Sequence, residues 1–121
     1  MTLTRRMFLT TALASAGLPA LAHHGWRWTS DGKFELRGVI TEARLGNPHG
    51  VLTVDANGEI WQVEVGQPWR NERAGLTDEM MTPGTDVTII GKRAADEKDL
   101  LVKAEAIVIA GTTYELYPER L

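Results

Sequence analysis

The sequence predicts an all-β domain, a small five-stranded barrel with one short helix, behind a removable export leader. Three observations carry this reading. Apolar and polar residues alternate with a period of two in several short runs, glycine-bearing turns separate the runs, and one stretch alone switches to helical spacing.

The first run, Phe34 to Leu45, places Phe34 and Leu36 on one face, is interrupted at Gly38, and resumes at Val39-Ile40, the pattern of a bulged and strongly curved strand. Asn47-Pro48-His49-Gly50 is a turn cluster. Val51 to Val54 forms a second strand, and Asp55-Ala56-Asn57-Gly58 a hairpin, since Asn-Gly favours tight reversing turns. Glu59 to Val65 then alternates cleanly, with Trp61, Val63 and Val65 on the face expected to be the core.

Gln67 to Gly75 reads as a short helix, with Pro68 near its start and Gly75 at its end. One further turn follows with Thr77 as its N-cap and acids behind it. Strand four runs from Asp86 to about Lys92, and strand five from Leu101 to Ile109 beyond the charged loop Asp96-Glu97-Lys98-Asp99. Three strands, a helix, then two strands is the order of the OB-fold. A β-sandwich needs about seven strands, more than this length and these turns supply. The last stretch, Thr112 to Leu121, carries Tyr114, Leu116 and Tyr117 and is expected to pack on the barrel.

Ahead of the domain, Thr4-Arg5-Arg6-Met7-Phe8-Leu9 resembles a twin-arginine export signal. The apolar stretch Phe8 to Leu18 is 11 residues long, against the roughly 20 needed to span a bilayer, so a retained anchor is disfavoured. Ala20-Leu21-Ala22 offers small residues where a signal peptidase accepts them, giving cleavage after Ala22, a mature domain of residues 23–121 and a periplasmic location. Cleavage removes two of the 13 basic side chains and none of the 16 acidic ones, leaving a formal net charge of −5. Such a domain is repelled by phosphate backbones and anionic lipid, so nucleic acid is not an expected partner, nor is stable membrane insertion after cleavage. The absence of cysteine removes disulfides, thiolate metal sites and iron–sulfur clusters.

Several segments together resemble a family of small exported bacterial proteins of unknown function, DUF6152. They are Ala22-His23-His24-Gly25-Trp26, Gly38-Val39-Ile40-Thr41-Glu42, Leu45-Gly46-Asn47-Pro48-His49-Gly50, Arg73-Ala74-Gly75-Leu76-Thr77, Pro83-Gly84-Thr85-Asp86-Val87-Thr88 and the terminal Tyr-Pro stretch. Many members resemble Ala-His-His-Ser at the start, where this chain has Gly25-Trp26 after the histidines. The resemblance implies a periplasmic OB-like domain and no particular activity.

Three histidines remain for chemistry: His23, His24 and His49. Cleavage after Ala22 makes His23 the mature N-terminus. Its α-amine and imidazole can then chelate one Cu(II), with His49 or His24 as a third nitrogen, the tetragonal ligation that Cu(II) prefers. This arrangement resembles the histidine brace of copper-dependent oxygenases and copper carriers. The competing reading is that His24 and His49 satisfy backbone groups and the N-terminus stays mobile.

Of four tryptophans, Trp61 belongs in the core and Trp69 is expected to pack the helix onto the barrel. Trp26 and Trp28 fall on one side of an extended segment and could edge a groove for a ligand or partner. Glu42, Arg44 and Glu64 read as an outer surface, without paired-carboxylate spacing. Ser30 is the one serine after the leader, and no nucleophile elbow, triad or phosphate loop is present. The expectation is a non-enzymatic periplasmic binding or accessory protein whose partner is a small ligand, a metal ion or another periplasmic protein. The alternative is a copper-binding protein.

Overall fold

The computed structural model describes residues 25–121; the expected export leader and cleavage site, His23 and His24 lie outside the described residues. The strands are β1 (Phe34–Arg44), β2 (Val51–Ala56), β3 (Glu59–Glu64), β4 (Asp86–Arg93), β5 (Leu101–Ile109) and β6 (Thr112–Glu115), with helix α1 (Pro68–Ala74) between β3 and β4. Their order is β3-β2-β1-β4-β5-β6, and a parallel β3–β5 pairing closes the first five into a barrel. This is the expected OB-like topology. The tail supplies a sixth strand.

Local chemistry explains most of these boundaries. Asn57 and Gly58 both hold positive φ (54° and 90°), the backbone a tight reversing turn demands, and Gly58 N–H donates to Asp55 Oδ1 at 2.8 Å. Helix α1 starts on Pro68 and stops at Gly75, whose left-handed φ of 88° lets Gly75 N–H and Leu76 N–H close on the carbonyls of Glu72 and Asn71. Thr77 stands at the N-cap of a single 3-10 turn (Asp78–Met80), but its side chain makes no capping bond. Asn71 ties α1 to the barrel. Buried, it accepts from Gly66 N–H (2.9 Å) and donates to Gly66 O (3.0 Å).

Alternation decides the core. Trp61 and Val63 point in from β3, Leu52 and Val54 from β2, Leu36 and Ile40 from β1, Val87 and Ile89 from β4, and Val102 and Ala104 from β5. The bulge in β1 falls between Ile40 and Glu42, a few residues past Gly38. Gly38 serves a different need, because a Cβ there would lie 2.4 Å from Asp55 O and 2.7 Å from Val54 Cγ1. A second irregularity lies between Ile90 and Gly91, whose partners are Ala106 and Ala104, so Glu105 is the extra residue.

That bulge governs the tail. One edge of β5 is shared: Leu101–Lys103 pairs with β3 and Ala106–Ile109 with β6, which leaves Glu105 between them. Its carbonyl accepts N–H bonds from both Leu116 (2.9 Å) and Tyr117 (3.0 Å). Leu116 is fully buried, and Tyr114 and Tyr117 pack against the core, as their apolar character suggested.

Candidate functional site

Where β3 meets β5, one of the two residue pairs facing out of the barrel is charged. Glu64 and Lys103 are register partners in the parallel pair and lie 3.3 Å apart, Lys103 Nζ to Glu64 Oε1. They are only 5% and 7% exposed, because the segment around Trp26 and the C-terminal tail fold over them. A turn ending at Thr29 lays Trp26 against Lys103, with Nζ 4.9 Å from the ring centroid. The tail brings Tyr117 edge-on to Trp26 (5.1 Å between centroids, 86° between planes), and Arg120 stacks on the same indole at 3.8 Å.

From the β1–β2 loop, His49 places Nε2 3.7 Å from Glu64 Oε1, while Nδ1 lies 3.3 Å from Gly50 O. From α1, Arg70 covers Tyr117 at 4.0 Å and donates from Nη1 to Leu116 O at 3.0 Å. Beside this group Glu105, fully buried, takes Lys33 on one carboxylate oxygen and Arg120 Nε on the other at 3.3 Å. Six separate pieces of chain thus meet on one patch of wall. Buried ions are tolerated only when each is paired, and here the carboxylates have cations, of which Lys103 and Arg120 also lie on the ring of Trp26.

Tyr117 records this environment. Burial raises its phenol pKa above the usual 10.0 and Glu64 and Glu119 add to the rise, while Arg70 and Arg120 oppose it. With the folded value above the unfolded one, the associated stability is complete below pH 10 and is lost as pH climbs through the folded value. Urea midpoints measured between pH 9 and 12 should therefore fall more steeply for the native chain than for Tyr117→Phe. Equal slopes would show that the phenol is not held in its neutral form by the fold.

Of the sequence-predicted site residues, His49 lies on this seam and His23 and His24 lie outside the described residues. Among the described residues no three His, Asp or Glu side chains converge on a metal position. Trp26 and Trp28 do not share an extended edge. The turn between them sends Trp26, half-buried, to the seam, while Trp28 is 9% exposed and belongs to the core. Trp69 does not pack α1 onto the barrel. It is 50% exposed, flanked by the guanidiniums of Arg70 (4.7 Å) and Arg73 (5.1 Å), and its Nε1 donates to Gln67 Oε1. Sequence reasoning placed Glu64 on an open surface and passed over Lys103, Glu105 and Arg120. The available signal was Lys-Ala-Glu set inside an otherwise apolar strand, Leu101 to Ile109.

Among solved structures, the barrel matches a chain of the S. pombe Stn1–Ten1 complex with a TM-score of 0.51 at 21% identity, covering 66% of this chain and 59% of that one. It also matches a ZRD-deleted mutant of TiaS in complex with agmatine (TM-score 0.49, 18% identity, 69% of this chain and 26% of that one). A complex of TiaS with tRNA and ATP matches with a TM-score of 0.49 at 20% identity, over 65% of this chain and 18% of that one. The chain therefore spans less than two thirds of the length of each, and the likeness to the Stn1–Ten1 chain concerns the fold alone. No curated protein matches it in sequence. Residues 12–101 do match one family, and the chain belongs to it: a family of unknown function, DUF6152.

Proposed function

We propose that the protein is exported to the periplasm and acts there as a small binding or accessory protein that turns over no substrate, with the β3–β5 seam as its working surface. The carrying observation is the burial of Glu64 and Lys103 beneath the Trp26 segment and the tail, beside a half-buried His49. Burying ions costs stability that a simple apolar contact would not, and chains retain such costs mainly where a site needs them. The acidic excess favours neutral or cationic partners over nucleic acid.

A second reading, copper binding by His23 with His49 or His24, gains support from three contacts in series. Trp26 is anchored over Lys103, which bonds Glu64, which neighbours His49, and His24 and His23 precede Trp26 by only two and three residues. Three residues reach about 10 Å when extended.

One experiment addresses both readings. The full-length chain, expressed with its leader, is expected in the periplasmic fraction with an intact mass beginning at His23. Lysine at both Arg5 and Arg6 should hold it in the cytoplasm. Cu(II) titration of the mature protein, followed by electron paramagnetic resonance, should give a nitrogen-rich tetragonal signal. One extra N-terminal residue should abolish it, and His49→Ala should weaken binding at least about tenfold if His49 is the third nitrogen. Equal, weak binding by all forms would eliminate the copper reading. A chain that stays cytoplasmic would eliminate the export reading.

A further inference from the structure

The barrel end where β1 and β3 begin and β2 and β4 finish carries an open groove of about 420 Å³, within the size range of small-molecule sites. Its floor is an aromatic pair, Phe34 and Trp61, with centroids 5.2 Å apart. Arg93 lies across both rings, 4.9 Å from Trp61 and 5.4 Å from Phe34, and its Nη2 donates to Glu97 O at 3.0 Å. Among the described residues two donors in this group are buried with no acceptor: the indole Nε1–H of Trp61, a residue only 3% exposed, and the Nε–H of Arg93. An unpaired buried donor is costly, and two such donors sit on neighbouring side chains lining one groove.

We propose that this groove binds a small organic carboxylate whose oxygens accept from Trp61 Nε1–H and Arg93 Nε–H, its body lying against the Phe34–Trp61 pair. The groove shares no lining residue with the seam. A carboxylate suits the donor set because it offers two acceptor oxygens on one planar group, and charge strengthens each bond. The rim carries exposed Glu35 and Glu59 as well as Arg37, so a polyanion such as a phosphate chain meets repulsion that one carboxylate largely avoids. Entry requires the Arg93 guanidinium to slide off the rings. Its long side chain and half-buried position allow this while β4 keeps its pairing.

Benzoate is the probe, with benzamide as its uncharged counterpart, titrated into the mature protein and followed by two-dimensional ¹⁵N–¹H NMR. The expected result is a saturable shift of the Trp61 indole N–H and of the Asn57 amide, with benzamide at least about tenfold weaker. Trp61→Phe keeps a ring on Phe34 but removes the donor. It should weaken benzoate about tenfold, read at Asn57, in line with loss of one bond to a charged acceptor. Should that variant misfold, Arg37→Glu at an exposed rim position tests the same charge preference and should weaken binding severalfold. An unmoved Trp61 indole at saturating benzoate would overturn the proposal, leaving the donors to water alone. So would equal binding of benzamide, or no effect of either variant.

Discussion

Replacing Gly91 by alanine is expected to destabilise the protein by about 3 kcal/mol or more, the upper end of what overpacking costs. A Cβ at this position would lie 2.0 Å from Lys103 O, 3.0 Å from Lys103 C and 3.1 Å from Ala104 Cα. All three are backbone atoms of the neighbouring strand, so no side chain can rotate away and the β4–β5 ladder itself must separate. The same ladder holds the bulge that frees Glu105 for the tail and carries Lys103 opposite Glu64. Urea unfolding followed by circular dichroism reads the loss. Glycine to alanine at Gly32, where a Cβ would meet nothing within 4 Å, should change stability by less than about 0.5 kcal/mol. Equal stability of the native and Gly91→Ala chains would mean that the strands do not approach so closely.

The parts of the fold that were legible in the sequence are those fixed by neighbouring residues. Asn57-Gly58 dictates its own turn, Pro68 and Gly75 bracket α1, and the alternation through Trp61 and Val63 names its own inward face. The seam was not legible, because it depends on register between distant strands. Nothing near Glu64 reveals that Lys103, 39 positions later, will be its parallel partner. Glu105 was hidden for a related reason: an extra residue on β5 moves it out of the alternation that would have set its facing.

The tryptophans show the limit of reading residues by type. Trp69 has the size of a core residue, yet Arg70 and Arg73 beside it cover its faces and let it remain outside. Trp26 and Trp28 differ by two positions, which in a strand gives a shared face. The turn they occupy removes that relation, sending one to the seam and the other inward. The turn was not foreseeable from spacing, since the bond that stabilises it runs from Thr29 Oγ1 to Trp26 O (2.6 Å) inside the segment read as extended.

Leu116→Ala is expected to cost about 3–5 kcal/mol, the range for truncating a fully buried leucine that the surroundings cannot collapse onto. That is a large share of the roughly 5–15 kcal/mol that holds a domain of this size together. The effect should extend beyond the cavity. Leu116 lies between the two backbone bonds to Glu105 O and the Arg70 Nη1 contact to its own carbonyl, so loosening it loosens Tyr117, Trp26 and Arg120 together. Freed of that cover, Glu64 and Lys103 become accessible to water, and their mutual attraction falls toward that of a surface pair, at most about 1 kcal/mol. Urea unfolding gives the energetic loss, and the NMR shift of the Trp26 indole N–H reports the release of the seam. Leu121→Ala, at a half-exposed position, should leave both unchanged. A Leu116→Ala protein less than about 1 kcal/mol weaker, with an unmoved Trp26 signal, would mean that the tail is an appendage and that the charged pair is buried by something other than the tail and the Trp26 segment.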